Sequence, residues 1–285
     1  MRGVTAETVV EQRSQFQFNK SSHIPELTVL QAAMSDFRYD RHAHEEHAFG
    51  VTLSGRQDFF SGGHFHRSPP GHIIHFHAGD VHDGESGGAD PLNYVMVYIH
   101  PDRLDPLLAE AAGQAHSGSL RLRETLLADA PLRQVILQLA ELVNAGGGSQ
   151  LDQEHALYQL AARVAQRLGR YQANAVSPRV DTLLLRARDY IHAHLDDDLA
   201  LEDISEAVHL SKYHFLRLFR RQFGITPHQY VLNCRINAAR NDLEAGQAAN
   251  EVAFRYGFAD LSHLNRRFKR IYGMTPRQYQ ASVCA

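Results

Sequence analysis

The sequence predicts a multidomain chain: an N-terminal β-barrel or sandwich of α+β type that runs on into helices, then an all-α C-terminal domain built twice from one small unit. Three observations carry this. At 285 residues the chain is about twice the length of a typical domain. Short β-type runs broken by Gly and Pro fill the stretch from Leu27 to His100, as they do in barrels and sandwiches. Most of Ser211–Tyr230, SKYHFLRLFRRQFGITPHQY, returns 49 residues later as DLSHLNRRFKRIYGMTPRQY.

In chain order, residues 1–26 are rich in Gln, Ser and Glu, with weak periodicity, and read as an N-terminal arm lying over something else or partly disordered. The next domain, 27–170, opens with the strand-like runs TVLQAAM, HAFGVTLSG, QDFFSGG, GHIIHFHAGD and NYVMVYIH. Between them SGGHFHRSPP reads as a turn region whose His64 and His66 sit at a solvated edge. After Pro101 apolar residues recur at steps of three and four, which gives helices in DRLDPLLAEAA, PLRQVILQLAELV and LDQEHALYQLAARVAQRLGRY. The second of these is regular, through Leu132, Val135, Ile136, Leu139 and Leu142; the third is less so, through Leu151, His155, Tyr158, Leu160 and Val164. Such helices cover the barrel or pair with another subunit. Residues 171–179, YQANAVSPR, are small and polar and form the linker. The last domain, 180–285, begins with the helix VDTLLLRARDYIHAHL, stopped by the acidic run Asp196–Asp198.

Charge follows the repeat. The formal net charge is -3, yet from Arg179 onward 15 Lys and Arg face 12 Asp and Glu, leaving 14 against 20 before it, so the second part is +3 and the first -6. Lys212–Arg221 and Leu261–Arg270 each carry four cations and no carboxylate. Two cysteines, Cys234 and Cys284, are too few for a disulfide framework or a metal knuckle and read as a reduced pair. The N-terminus has no apolar signal core and no apolar run approaches a membrane span, so no membrane partner is expected and the expected location is cytoplasmic.

The repeated unit has a helix-turn-helix layout. Glu202–Val208 forms a helix with Ile204, Ala207 and Val208 apolar, His209-Leu210 makes the turn, and Ser211 caps the next helix. There Phe215, Leu218 and Phe219 face inward, and Lys212, Tyr213, Leu216, Arg217 and Arg220 outward. In the second copy Gly257 lies in the turn, Asp260 is the cap, Leu264 and Phe268 face inward, and Ser262, His263, Asn265, Arg266 and Arg267 face outward. An exposed Arg-rich helix after a short turn fits the major groove, where Arg grips guanine and Asn adenine, while Lys serves phosphates. Thr226-Pro227 and Thr275-Pro276 each set an N-cap and a first-turn proline, and the open N–H groups there suit a phosphate. The expected phosphate contacts are therefore Lys212, Arg220, Arg221, Thr226, Arg267, Lys269, Arg270 and Thr275.

On these residues, above all VAFRYGFADLSHLNRRFKRIYGMTPRQY, the stretch 180–280 resembles the tandem helix-turn-helix domain of the AraC family of bacterial transcription regulators. The resemblance implies base contacts from Tyr213, Leu216 and Arg217 in the first copy and from Ser262, His263, Asn265 and Arg266 in the second. His209 stands where a turn glycine is common and Leu216 where a polar residue is, so the first helix is expected to read shape or a thymine methyl.

Nine of the 19 histidines lie between His42 and His82. The pairs His42/His44, His64/His66 and His75/His77 are spaced by two, so each pair points to one face of a strand. RHAH and PPGHIIHFHAGDVHDG resemble the two motifs of a cupin barrel, the sensing and dimerising domain of the same family. A metal-holding cupin also wants a carboxylate three or four residues past its H-x-H, where this chain has Ala48 and Phe49; Glu45, Glu46 and His47 come too early. The expected site is a metal-free pocket, without cofactor, in which His42, His44, His75 and His82 meet an effector. The function implied is a homodimeric regulator that binds double-stranded promoter DNA, responds to a small molecule, is not an enzyme, and has RNA polymerase as a further partner. The alternative is a metal-dependent cupin oxygenase or isomerase tethered to DNA.

Overall fold

In the computed structural model, the described residues are 14–113, 121–146, 148–167 and 182–284. The 171–179 linker lies outside them. Among the described residues ten strands form two sheets: six in the order β1-β2-β9-β4-β7-β10 and four in the order β3-β8-β5-β6, with antiparallel pairing throughout. They run β1 Gln15–Lys20, β2 Leu27–Met34, β3 Arg38–His42, β4 His47–Ser54, β5 Gln57–Ser61, β6 His64–Ser68, β7 Ile73–Phe76, β8 His82–Ser86, β9 Leu92–Ile99 and β10 Leu126–Leu127.

The large sheet is buried on both faces, and the side-chain period of two sorts its residues into two cores. Val29, Val51, Val95, Val97 and Ile99 point to the helices α1 (Pro101–Ala111), α2 (Ala130–Asn144) and α3 (Gln150–Arg167). Leu30, Met34, Tyr94, Met96 and Tyr98 point to the barrel interior. The three helices arise where the spacing placed them, but the buried stripe of α3 is Gln153, Ala156, Leu157, Leu160, Ala161 and Val164. Leu151 and Tyr158, part of the stripe read from the spacing, are 74% and 44% exposed. Ala156 and Ala161 let α3 sit close, a signal that large apolar residues alone conceal.

Two sequence expectations change. Part of the 1–26 arm is a strand: Phe16 and Phe18 alternate with Gln15, Gln17 and Asn19, and β1 pairs with β2 along its whole length. SGGHFHRSPP is a strand as well as a turn, because Gly62 and Gly63, both left-handed, close a hairpin that sends His64–Ser68 along β5 as an edge; its exposed His64 matches the solvated edge expected there.

The C-terminal part is helical: α4 Thr182–Ala193, α5 Leu201–Ala207, α6 Lys212–Phe223, α7 Pro227–Glu244, α8 Ala249–Arg255, α9 Leu261–Tyr272 and α10 Pro276–Val283. The first unit has its own core, with Phe215 and Phe219 packed on Leu184, Ile191, Ile204 and Val208. The second unit does not. Leu264, Phe268, Tyr272 and Tyr279 join one continuous cluster with Phe18, Tyr39, Met96 and Tyr98 of the barrel.

Candidate nucleic-acid interface and sensor site

Both reading helices are built as their sequences dictate. Ser211 occupies the N-cap of α6 in extended conformation without a side-chain hydrogen bond, whereas the Asp260 carboxylate accepts from the His263 N–H of α9 at 2.6 Å. The turns before them carry a left-handed residue: Gly257 at φ 68 in the second unit, His209 at φ 55 in the first. His209 is the one non-glycine in that region among the described residues, and it bears the backbone cost that glycine avoids. Thr226 and Thr275 each cap a helix, accepting from Gln229 N–H and Gln278 N–H at 3.3 Å, with the glutamine side chain closing the box back onto the threonine.

Phe215, Phe219, Leu264 and Phe268 anchor the inner faces, fully buried. The outer faces carry the expected readers. Tyr213 is 80% exposed, Leu216 lies at 36%, and Arg217, Arg220 and Arg221 are exposed. Ser262, Arg266, Arg267 and Lys269 are exposed, and Asn265 is half-buried. His263 is half-buried too, its ring edge-on to Phe258 at 5.5 Å. Sequence reasoning passed over His214, which sits on α6 where His263 sits on α9 and is exposed. Two expected phosphate cations have protein partners: Lys212 pairs with Glu202, and Arg270 lies 3.9 Å from Asp40 of β3.

That last contact belongs to a junction invisible in the repeat. Arg240, buried on α7, meets Glu46 at 2.5 Å and Glu244 at 3.6 Å, and Lys20 of β1 also pairs with Glu244. Burial by itself would raise the Glu46 carboxyl; Arg240 outweighs it and holds the group below its usual value. Asn237 donates to the Ala43 carbonyl at 3.2 Å and accepts from the Tyr272 hydroxyl at 3.0 Å. The sequence signal was there, a lone arginine in INAAR and a Glu-Glu pair without a motif, but nothing in the spacing joins positions so far apart.

In the barrel, His42, His44 and His82 come together, all buried. His75 does not join them. It points to the opposite face of the sheet, stacking on Phe49 at 4.4 Å and facing His77 at 3.3 Å, because alternation on β7 sends Phe76 inward in its place. His47, excluded on spacing, lies in this second group, 5.5 Å ring to ring from His77 and hydrogen-bonded to Asp105 at 3.0 Å. A cavity of about 810 Å3 opens between barrel and first unit, bordered by Arg41, His82 and Arg121 on one side and Arg221 and Tyr230 on the other. No helix among the described residues is long and apolar enough to cross a membrane.

Comparison with known proteins agrees with this division. Residues 25–161 match the sequence profile of an AraC-like ligand binding domain, and residues 204–282 that of a helix-turn-helix domain. Over 231 residues, 80% of this chain and 82% of the other, the chain is 28% identical to the uncharacterized HTH-type transcriptional regulator YbfI of Bacillus subtilis. Over 84 residues, 29% of this chain and 28% of the other, it is 37% identical to the regulatory protein PocR of Salmonella typhimurium. Its fold resembles that of ToxT from Vibrio cholerae, with a TM-score of 0.58 at 14% identity over 95% of this chain and 99% of that one. A ToxT structure bound to an unsaturated fatty acid gives a TM-score of 0.57 at 10% identity over 95% of both chains. With a ligand-binding barrel, a tandem helix-turn-helix and relatives that are transcription regulators, the protein belongs to the AraC family of DNA-binding transcription regulators.

Proposed function

We propose that a small molecule held by the barrel alters how the two reading helices meet promoter DNA, with Tyr213, Leu216 and Arg217 of α6 and Ser262, His263, Asn265 and Arg266 of α9 at base edges. The observation that carries this reading is the shared core: α9 rests on β3 and β1, so any change in the barrel reaches the second reader without an intervening linker. Ligand control of this kind requires the effector to favour one of two arrangements. Lys212, Arg220, Arg221, Arg267 and Lys269, with the N-termini at Thr226 and Thr275, serve phosphates, and Arg270 does so when Asp40 releases it.

The effector lies against His42, His44, His75 or His82 and the adjoining cavity. Arg41, Arg121 and Arg221 around that cavity suit an anionic molecule, in keeping with the fatty acid bound by ToxT. Arg221 belongs to α6, so such a ligand touches both the sensor and the first reader. The barrel acts as a sensor, not as an enzyme. Leu151, His155 and Tyr158 line one exposed face of α3 and support a pairing surface for a homodimer. RNA polymerase is the partner that a DNA-bound regulator would then meet.

Selection of bound sites from genomic DNA, followed by titration, tests the reading. Arg266→Ala should cost about 1–3 kcal/mol on a selected site and little on random DNA, whereas Arg220→Ala weakens both and flattens the salt dependence. Equal losses on both DNAs for Arg266→Ala would overturn the base-reading assignment. A carboxylate that shifts affinity for the selected site in the wild type but not in an Arg221→Ala variant would place the effector.

A further inference from the structure

Ligand atoms from three barrel side chains converge on one point. His42, at the end of β3, is the direct cross-strand partner of His82, at the start of β8, and such partners stand about 5 Å apart on one face. His44 brings its ring to the same place, with centroids 4.7 Å from His42 and 4.9 Å from His82, and 4.5 Å between those two. One ligand nitrogen from each lies within 4.8 Å of the others. Donors on one tetrahedral ion with bonds of about 2.1 Å stand about 3.4 Å apart, so rotation of the three rings has to draw these nitrogens together.

Two further observations separate this group from an ordinary buried cluster. The Asp40 carbonyl lies 2.6 Å from His42 Nδ1, and the Asp80 carbonyl 2.8 Å from His82 Nδ1. A carbonyl only accepts, so in both rings Nδ1 carries the proton and Nε2 the lone pair. This is the outer hydrogen bond that orients a metal-binding imidazole. Phe76 stacks on His82 at 3.7 Å and Tyr98 stands edge-on to His44 at 5.1 Å, which gives the group apolar walls. The positive charge of nearby Arg240 is matched by Glu46.

We infer that His42, His44 and His82 hold a divalent transition-metal ion of the zinc, cobalt, nickel or iron(II) type through three imidazole nitrogens, with remaining positions open to water or to an anionic group of an effector. This replaces the expectation of a metal-free pocket. The ion ties β3 to β8, and β3 is the strand on which α9 rests. His82 also borders the cavity that faces α6 and α7. Placing the site in the sensor rests on the functional reading above, but ion binding is measured without DNA, so the two fail separately.

The test uses full-length protein stripped with a chelator and titrated with Co2+ and then Zn2+. The expected result is one ion per chain, a visible absorption band from Co2+ on nitrogen ligands, and paramagnetically shifted Nδ1–H proton signals from His42 and His82. His82→Gln and His44→Gln, each checked by thermal unfolding, should lose the band and weaken binding by more than about 100-fold. His77→Gln, on the opposite face of the sheet, should keep both. Less than about one tenth of an equivalent bound by the wild type overturns the proposal, as does loss of the band in His77→Gln with retention in His82→Gln. Should the ligand variants unfold, the wild-type count and the shifted signals decide. Failure to bind any selected DNA with the ion count intact overturns the regulatory reading alone.

Discussion

The two helix-turn-helix units share a layout, their C-cap glycines and their Thr-Pro exits, and they differ in what they lean on. Gly224 and Gly273 both end a reading helix in the left-handed region, at φ 75 and 76. A methyl group on Gly224 would meet nothing within 4 Å, but on Gly273 it would strike the ring of Phe16 at 2.6 Å. Tyr230 is half-buried among Phe219, Phe223 and His192 of its own unit. Its counterpart Tyr279 is 1% exposed, packs on Phe18 of β1 at 5.1 Å and donates to Glu244 at 2.7 Å. A duplicated sequence thus reproduces local geometry, and the environment of each copy is set by which neighbour arrives. The first unit stands on a core of its own; the second is an extension of the barrel.

The sharpest break of this asymmetry comes at the buried pair. Glu46→Gln leaves Arg240 charged inside the junction, and loss of one partner of a buried pair costs about 3–5 kcal/mol. Denaturant unfolding should show that loss in the barrel and second unit together, while the first unit, followed by hydrogen exchange on α6, keeps its protection. Loss of protection in both units alike would mean that the cores are not separate.

The paired glycines give the next largest contrast. Gly273→Ala should destabilise by about 2–4 kcal/mol, from backbone strain and displacement of Phe16 together, and Gly224→Ala by about 1 kcal/mol from backbone strain alone. Thermal midpoints of the two variants measure the difference directly. On DNA, Asn265→Ala should cost about 1–3 kcal/mol at one adenine-bearing position, and Leu216→Ala less than about 1 kcal/mol, the worth of an apolar contact. Competition titrations with single-base variants of a selected site separate the two. The smallest effect belongs to the turns: His209→Gly should stabilise by up to about 1 kcal/mol by removing left-handed strain that Gly257 never has. A loss of stability there would show that the His209 side chain makes a compensating contact.

Much of this was legible along the chain. Short β-type runs broken by Gly and Pro carried the strands β2, β4, β5, β7 and β9, and the spacing of three and four carried the helices α1 to α3. The caps Asp260, Thr226 and Thr275 were readable because a cap is a contact between residues three apart. The miss at α3 has a physical cause: its buried stripe uses alanines and Gln153, and Gln153 is held by Ser21 at 2.6 Å, a partner 132 residues away. The histidine spacing rightly paired His42 with His44 but could not say that His82 joins them, which depends on the register of β3 against β8, or that His75 turns away, which depends on which face β7 gives to the interior.

The sequence by itself determined the local motifs and their chemistry: two helices with cations outward, each entered through an N-cap position, and a histidine-rich barrel. It determined these because each rests on residues within a few positions of one another, where periodicity and capping act. Only the tertiary structure decided that the second reader shares its core with the barrel, that Arg240 answers Glu46, and that His82 joins His42 and His44. Those contacts join residues some 40 to 260 positions apart, and no pattern along a single chain specifies which distant surfaces bury one another.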